Sequence, residues 1–128
     1  MRAKHVLLID DNEIDNYINN HIISKSKIAE RITVKRSAVE ALEYLEAIEN
    51  SIDDFPDLIL LDIAMPIMDG FGFLDKIITF PKIIEKRCFV IMLTSSNNQN
   101  DRDRALQYEI VKDYFVKPLK KEMLEGIF

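Results

Sequence analysis

Leu58-Ile59-Leu60-Leu61-Asp62 contains the strongest strand signal of this chain. Pro56 and Asp57 precede it, and its four apolar residues show none of the alternation of a strand with one solvent-exposed face. An apolar run of this length is typical of a strand buried on both faces, as in the middle of a parallel sheet. We therefore predict a buried strand over 58–61, with the carboxylate of Asp62 directly at its end.

Other apolar runs on both sides of this stretch alternate with helical patterns along the chain. Further strand candidates are residues 5–9, 32–35, 89–93 and 114–116. Helical patterns cover residues 14–22, 37–48, 101–108 and 119–128, and another begins at Asp69-Gly70 and is stopped by Pro81. Five strands in alternation with five helices predict an α/β fold with a parallel sheet.

Two of the helices carry an apolar stripe. In the first, the residues that recur at steps of three and four are Ile14, Tyr17, Ile18, His21 and Ile22. In the second, Ser37 and Glu40 match a capping box, and the stripe continues to residue 48. In both helices one face is therefore predicted to be apolar.

Composition limits the class of protein. The chain has 128 residues, of which 48% are hydrophobic and 30% charged, and these values favour one folded domain over disorder. Its formal net charge of -5, from 22 acidic and 17 basic residues, argues against a nucleic-acid groove. Cys88 is the single cysteine, so no intramolecular disulfide can form, and the early apolar run 6–9 is too short for a signal peptide or a membrane span. We expect a cytoplasmic protein without membrane or direct nucleic-acid contacts.

Reactive polar residues lie at the ends of several strands. Asp10 and Asp11 follow the first strand, Asp62 the third, Thr94 the fourth and Lys117 the fifth. Each alone has an ordinary interpretation, because an acidic pair often caps a helix and a lysine is usually exposed to solvent. Together they fall on one edge of the sheet, since ligands of parallel sheets sit beyond the carboxyl ends of the strands. The sequence therefore predicts a site at this edge.

The chemistry of that site follows from its charges. Three carboxylates beside one lysine repel one another, by roughly 1 to 4 kcal/mol for a pair about 4 Å apart. A hard divalent cation relieves the repulsion, and an all-oxygen ligand set suits Mg²⁺ or Mn²⁺ better than zinc. Together with Lys117 and Thr94, such a cation can share phosphoryl oxygens, as in-line phosphoryl transfer to a carboxylate requires. Asp62 is the best nucleophile because it ends the most buried strand.

Four segments resemble the receiver domains of two-component response regulators, a family that includes the bacterial chemotaxis regulator. They are residues 7–12 (LLIDDN), 60–70 (LLDIAMPIMDG), 92–95 (MLTS) and 114–118 (YFVKP). The resemblance covers nearly the whole chain, in the family's order and near its spacings. It implies a flavodoxin-like, doubly wound (βα)5 fold with a five-stranded parallel sheet in the order 2-1-3-4-5.

The resemblance also implies a role for each residue of the site. Asp62 matches the phosphoacceptor, which would become an aspartyl phosphate, and Asp10 and Asp11 match the acidic metal-binding pair, with Asp11 the more direct ligand. Ala64 matches the residue that lends a backbone carbonyl to the metal, and Lys117 matches the lysine that contacts the phosphoryl group. Asp62 itself is also among the implied metal ligands.

Thr94 and Tyr114 match the switch pair of the family. Phosphorylation of Asp62 should draw the Thr94 hydroxyl toward the phosphoryl group, so that Tyr114 turns into the vacated space. This would change the face built by the fourth predicted helix, the fifth strand and the fifth predicted helix. The resemblance further implies a cis Lys117–Pro118 bond. Ile110 departs from the family, which often has glycine there, so the turn before the last strand should use another geometry.

We therefore predict a phosphoacceptor response regulator of a two-component or phosphorelay system, with residues 1–128 as one receiver domain and no output domain. A sensor histidine kinase or a histidine phosphotransfer protein would supply the phosphoryl group, and a downstream protein would bind the switch face. The chain would catalyse only its own phosphorylation and a slow self-dephosphorylation. The reaction should be slow because Ala64 and Ser96, the positions best placed to align the attacking water, carry no amide or carboxylate.

Two other classes compete with this interpretation. A haloacid-dehalogenase-type phosphohydrolase also has an aspartate nucleophile, but it needs a second acid where this chain has Ala64, and it needs residues for a cap domain. A pseudo-receiver used only for binding has no need of an intact Asp62, Thr94 and Lys117. Incubation with a small phosphodonor and Mg²⁺ separates the three classes: a receiver forms a labile acyl phosphate, a hydrolase turns over, and a binding module does neither.

Overall fold

Five strands run parallel in a single sheet. They are β1 (Ala3–Ile9), β2 (Ala29–Lys35), β3 (Leu58–Leu61), β4 (Phe89–Thr94) and β5 (Val111–Val116). The computed structural model describes residues 3–51, 53–85 and 87–127. The spatial order is β2-β1-β3-β4-β5, which confirms the predicted flavodoxin-like arrangement.

Six helices lie within the described residues. They are α1 (Glu13–Ser26), α2 (Ala38–Ile48), α3 (Gly70–Ile77), α4 (Pro81–Ile84), α5 (Gln99–Leu106) and α6 (Lys121–Glu125). Five of them correspond to the predicted helices, and α4 is an additional single turn. Pro81 was expected to stop the third helix, but α3 has already ended and Pro81 instead begins α4, where a missing N–H costs no hydrogen bond. The last predicted helix is confined to α6, and residue 128 lies outside the described residues.

Strand β3 is the buried centre that its sequence predicts. All four of its residues are buried, and it lies between β1 and β4. Leu61 pairs with Ile9 on one side and with Met92 on the other, so the ends of the three strands are aligned. This alignment brings the residues that follow the strands to one edge.

The sheet separates two apolar cores. One core includes Leu45 of α2, Leu74 of α3 and Ala105 of α5. The other includes Ile23 of α1 and Leu124 of α6. Helices therefore cover both faces, as in other doubly wound sheets. No helix in the described part of the chain is long and apolar enough to cross a membrane.

The apolar stripe predicted for α1 is mostly exposed, although its member Ile22 packs against the second core. The exposed side chains include Ile14, Tyr17, Ile18 and His21. The buried ones are Asn16, Asn19 and Ile23. The side-chain amide of Asn16 donates a 2.7 Å hydrogen bond to the backbone carbonyl of Asp10, and this bond fixes the rotation of the helix. A polar contact at the end of β1 thus overrides the apolar periodicity of the helix.

Two other local predictions agree with the structure. Ser37 caps α2, and its hydroxyl accepts a 3.1 Å hydrogen bond from the backbone N–H of Glu40. The turn before β5 is closed by a 3.0 Å hydrogen bond from the N–H of Val111 to the carbonyl of Tyr108. Positive φ angles occur at Lys27 and Ile67 among the described non-glycine residues, so Ile110 needs no left-handed conformation in this turn.

Candidate functional site

The residues predicted to form a site meet at the carboxyl edge of the sheet. Asp10 follows β1, Asp62 follows β3, Thr94 ends β4 and Lys117 follows β5. Backbone hydrogen bonds hold these ends together: the N–H of Asp62 donates to Ile9 at 3.0 Å, and the N–H of Lys117 donates to Thr94 at 2.7 Å. The site is therefore built on the rigid strand ends and not on the loops alone.

Three carboxylates converge there. One oxygen from each of Asp10, Asp11 and Asp62 lies within 4.8 Å of the others. Asp10 and Asp62 are 1% and 5% exposed, whereas Asp11 is exposed. The group combines two buried oxygens with one that solvent reaches, and all its donors are hard oxygens. Such a set fits a divalent cation of the Mg²⁺ or Mn²⁺ type.

Lys117 is the cation of the site. Its ammonium donates to Asp10 at 2.5 Å, to Asp15 at 2.8 Å and, more weakly, to Asp62 at 3.4 Å. Burial opposes the charge of Lys117, but the carboxylates of Asp10, Asp15 and Asp62 outweigh it and raise the pKa of this lysine above its ordinary value. The side chain therefore stays protonated and holds the acidic groups together.

The carboxylate of Asp10 is held by two groups. Its Oδ1 accepts a 2.9 Å hydrogen bond from the N–H of Asn12, and its Oδ2 faces Lys117. Burial nevertheless raises the pKa of Asp10 above its usual value, and the charge of Asp62 acts in the same direction. Burial therefore outweighs the hydrogen bonds from Lys117 and Asn12, which lower this pKa. Three carboxylates face one ammonium here, and a bound cation would relieve that excess of negative charge.

The backbone around Asp62 is closely packed. Its Oδ1 accepts a 2.8 Å hydrogen bond from the N–H of Ile63, and the N–H of Gly70 donates to the carbonyl of Ile63 at 2.8 Å. A Cβ at position 70 would lie only 2.5 Å from the carbonyl oxygen of Asp62. Glycine thus lets the start of α3 approach the acceptor strand, while the Asp69 carboxylate caps the helix by accepting from the N–H of Gly72 at 2.9 Å.

The loop from β3 to α3 contains a strained residue. Ile67 has a φ of 72°, and a 2.8 Å hydrogen bond from the N–H of Met68 to the carbonyl of Pro66 closes a three-residue turn around it. This conformation is costly for a β-branched side chain. Ile67 is 98% exposed, and Ala64 is exposed too. The loop therefore presents an apolar surface to solvent within a few residues of Asp62.

Thr94 and Tyr114 are connected through Ser96. The hydroxyl oxygen of Thr94 accepts a 3.2 Å hydrogen bond from the N–H of Ser96, and the hydroxyl of Tyr114 donates to the carbonyl of Ser96 at 2.9 Å. Tyr114 is 4% exposed, so its ring is already buried in this structure. The hydrogen bond to Ser96 holds the phenol in this position. The movement of Tyr114 into space vacated by Thr94 on phosphorylation stays a prediction.

The peptide bond after Lys117 and the single cysteine are two further features of the chain. The Lys117–Pro118 bond is cis, as predicted. Cys88 is buried directly before β4, and burial raises the pKa of its thiol. The thiol is therefore held in its protonated, weakly nucleophilic form.

Asp15 is a residue of the site that the sequence did not predict. The spacing of Asn12 and Asp15 matches a helix cap, and the cap is present, since the Asn12 side chain accepts from the N–H of Asp15 at 2.9 Å. The contact of Asp15 with Lys117 joins residues 102 positions apart. No local pattern carries this information. The only available signal was the position of Asp15 in the helical turn that follows the acidic pair.

The chain matches known proteins over almost its full length. The family model described as "Response regulator receiver domain" matches residues 6–127. The two-component response regulator ORR8 of Oryza sativa subsp. indica is 29% identical over 94% of this chain and 91% of its own length. Response regulator Rcp1 of Synechocystis sp. is 33% identical over 97% of this chain and 86% of its own.

Solved structures agree with the sequence matches. The crystal structure of a two component response regulator from Cytophaga hutchinsonii is 28% identical, covers 98% of this chain and 94% of its own, and superposes with a TM-score of 0.89. The crystal structure of the Mn(2+)-bound form of response regulator Rcp1 is 30% identical, covers 97% of this chain and 91% of its own, and has a TM-score of 0.78.

Proposed function

This chain belongs to the response regulator receiver domain family and has a phosphoacceptor role in phosphorelay signalling, and we propose that Asp62 is the residue that takes the phosphoryl group. One observation carries the assignment: the carboxylate of Asp62 lies at the end of the buried strand β3, beside the Lys117 ammonium at 3.4 Å and within the cluster formed with Asp10 and Asp11. Residues 1–128 then act as one receiver domain.

The side chains divide the work of the transfer. An Asp62 oxygen forms a bond to phosphorus while the bond from phosphorus to the donor's imidazole nitrogen breaks, and the imidazole leaves with that electron pair. Lys117 and the Thr94 hydroxyl stabilise negative charge on the phosphoryl oxygens, a contribution that is large in a site with little water. Because these groups stand on strand ends, little reorganisation is needed when the donor arrives. The chain catalyses its own phosphorylation in this sense and no reaction on other molecules.

Mg²⁺, or Mn²⁺ in its place, is the cofactor that we propose. Asp10, Asp11, Asp62 and the backbone carbonyl of Ala64 would hold it, and it would supply positive charge against the acidic cluster and the phosphoryl oxygens. The Mn(2+)-bound structure of Rcp1 supports the choice of a hard cation. Asp11 is the ligand best able to exchange with solvent because it is exposed.

Receiver domains of two-component systems interact with histidine kinases, and we propose a sensor histidine kinase or a histidine phosphotransfer protein as the donor. The donor would bind the α1 stripe, by which we mean Ile14, Tyr17 and Ile18, which are 69%, 77% and 45% exposed. The contact from Asp15 to Lys117 places the start of α1 at the border of the pocket. A protein that brings a phosphohistidine to Asp62 must cover the neighbouring surface, and an exposed apolar stripe there suits such a contact.

The output surface is the face formed by α5, β5 and α6. In the sequence analysis, α5 and α6 are the fourth and fifth predicted helices. Tyr114 belongs to β5, and its hydroxyl bond to Ser96 connects this face to the end of β4. Phosphorylation would pull on Thr94 and thereby shift the equilibrium of this connection. A downstream protein would detect the change by contact, in a cytoplasmic setting that suits a chain with a single buried cysteine.

The assignment of Asp62 is tested with Asp62→Asn and a matched control, Asp69→Asn. Asparagine at position 69 keeps the helix cap and removes a carboxylate of the same loop. Incubated with acetyl phosphate and Mg²⁺, the wild type and Asp69→Asn should gain the mass of one phosphoryl group, and hydroxylamine should remove it. Asp62→Asn should gain none while its circular dichroism stays unchanged. Normal phosphorylation of Asp62→Asn would refute the assignment, and continuous release of phosphate by the wild type would favour a phosphohydrolase.

The donor surface is tested with Ile18→Asp, and Ile84→Asp serves as its control. Ile84 is 65% exposed but lies in α4, before β4 and thus at the opposite edge of the sheet. Transfer from a phosphorylated histidine phosphotransfer domain should slow in Ile18→Asp and remain normal in Ile84→Asp. Phosphorylation by acetyl phosphate should be unchanged in both variants. Equal slowing with the protein donor in the two variants would exclude α1 as the docking surface.

A further inference from the structure

Asp15 belongs to the pocket by geometry, although the assignments above give it no part in phosphoryl transfer. Its carboxylate oxygen lies 2.8 Å from the ammonium nitrogen of Lys117 and is only partly exposed. Lys117 has the lower exposure of the two, 13% for its side chain. An ion pair in this position is screened less by solvent than one on the open surface.

The helix cap makes no use of the Asp15 carboxylate. In a capping box, the acid at this position would accept a hydrogen bond from the N–H of the capping residue, Asn12. Here that N–H donates to Asp10 at 2.9 Å instead. Only the backbone N–H of Asp15 takes part in the cap, through its bond to the Asn12 side chain. The carboxylate is therefore available to Lys117.

Asp15 is also distinct from the group suited to a metal. Among the described residues, the carboxylates that lie within mutual ligand distance are those of Asp10, Asp11 and Asp62. Asp15 contacts the site through Lys117. Its effect on the reaction must therefore be transmitted through the lysine.

The three protons of the Lys117 ammonium match three carboxylates. The distances to Asp10 and Asp15, 2.5 and 2.8 Å, are shorter than the 3.4 Å to Asp62. Asp15 thus holds the ammonium on the side of α1, where it lies close to Asp62 but does not form a tight ion pair with it. Without Asp15, the ammonium proton that it accepts would turn to Asp62. A tight ion pair between Lys117 and Asp62 would then occupy an oxygen of the nucleophile.

We propose that Asp15 is a positioning residue for Lys117: it keeps the ammonium within reach of an incoming phosphoryl group and prevents it from closing on the acceptor oxygen. The proposal rests on the phosphoacceptor role of Asp62. It extends the working site by one carboxylate, contributed by α1. The charge of Asp15 matters less than its hydrogen bond to the ammonium, so asparagine should replace it better than alanine.

The kinetic test compares Asp15→Asn and Asp15→Ala with Glu13→Gln. Glu13 is another acid in the first turn of α1, but its side chain is 82% exposed and faces Arg36, so its removal has the same effect on the helix dipole without touching Lys117. With acetyl phosphate and Mg²⁺, Asp15→Ala should lower the maximal rate of phosphorylation by about tenfold and Asp15→Asn by about threefold, because a misplaced charge stabilises the transferring group less well. The donor concentration for half-maximal rate should change little. Glu13→Gln should resemble the wild type.

A double-mutant cycle shows whether the effect passes through the lysine. In a Lys117→Met background, Asp15→Ala should cause no further loss of rate. An equal loss in both backgrounds would overturn the proposal, and so would an Asp15→Ala rate equal to that of Glu13→Gln.

A measurement without phosphodonor or metal separates this proposal from the assignment of Asp62. The Lys117 ammonium signal in a ¹H–¹⁵N NMR spectrum, identified by its loss in Lys117→Met, should be protected from exchange with water in the wild type. It should weaken in Asp15→Ala and persist in Glu13→Gln; an unchanged signal in Asp15→Ala would refute the anchoring contact. If the wild type accepts no phosphoryl group, the assignment of Asp62 fails while this NMR comparison still decides the contact.

Discussion

The hydroxyl of Ser96 donates a 2.8 Å hydrogen bond to the carboxylate of Asp101 in the first turn of α5. The same hydroxyl oxygen accepts from the N–H of Asn98 at 3.3 Å. Ser96 stands two residues after Thr94, at one of the two positions suited to aligning a water for attack on an acyl phosphate. Because its proton is directed to Asp101, it contributes little to aligning a water. Ala64, the other position, has no hydrogen-bonding side chain.

We therefore expect slow loss of the phosphoryl group from Asp62 and faster loss from Ala64→Asn. An amide at position 64 can orient a water behind phosphorus, which should raise the rate of dephosphorylation by about threefold to tenfold. The phosphorylated protein is freed of donor, and its decay is followed by intact mass. Ala47→Asn, on the exposed side of α2, is the control and should decay as the wild type does. A half-life of Ala64→Asn as long as that of the parent would contradict the water-alignment argument.

Asp11→Ala should weaken the binding of Mg²⁺. Its exposed carboxylate is one of the three that converge, and losing one of few oxygen ligands should lower the affinity by about tenfold or more. The same change removes a negative charge from the cluster, so the metal-free variant should be more resistant to urea than the wild type. Isothermal titration with MgCl₂ measures the first effect. Unchanged affinity for Mg²⁺ would remove Asp11 from the ligand set, whereas Asp69→Asn should bind as the wild type does.

Gly70→Ala should destabilise the fold, and Gly72→Ala should not. A Cβ at position 70 would lie 2.5 Å from the backbone oxygen of Asp62, and backbone cannot move aside without shifting the acceptor strand. We expect a loss of about 2 kcal/mol in the free energy of unfolding, or more. At position 72 the nearest atom, at 2.9 Å, belongs to the flexible side chain of Met68, and the gain in helix propensity of up to about 1 kcal/mol offsets the contact. Urea unfolding of the two variants checks the contrast, and equal stabilities would show that the approach of α3 to Asp62 is not tight.

His5 should make the fold sensitive to mild acid. The ring is buried, with Nε2 at 2.7 Å from the Thr33 hydroxyl and Nδ1 at 2.8 Å from the carbonyl of Asp54. Burial lowers the pKa of His5 below its ordinary value of 6.5. The unfolded chain therefore binds a proton more readily than the folded one. The contribution of His5 to stability is complete above pH 6.5 and is lost as the pH falls through the lower pKa of the folded protein.

Urea unfolding of His5→Gln at a series of pH values below 6.5 tests this prediction. The variant should lose less stability on acidification than the wild type does. His21→Gln is the matched control, because His21 is exposed on α1, and it should follow the wild type. The raised pKa of Asp10 acts in the opposite direction but is common to all three proteins. If His5→Gln and the wild type lose stability in parallel, His5 does not titrate in this range.

The central strand, the strand-end residues of the site and two helix caps could be predicted from the sequence. The run Leu58–Leu61 specified the buried strand, and the position of Asp62 behind it specified one member of the site. Residues that directly follow parallel strands lie close together at one edge, because the sheet aligns the strand ends. The helix caps at Ser37 and Asp69 were predictable for a similar reason, since their hydrogen bonds join residues only three positions apart.

The orientation of the helices against the sheet could not be predicted from the sequence. The rotation of α1 follows the bond from Asn16 to the carbonyl of Asp10, and it exposes most of the apolar stripe that periodicity predicted. The anchoring of Lys117 by Asp15 depends on that same rotation and on the return of the chain 102 residues later. A helix with polar and apolar residues on several sides has no single preferred face in solution. Which side is buried depends on the hydrogen-bonding groups that the edge of the sheet presents, and these exist only once the strands are assembled.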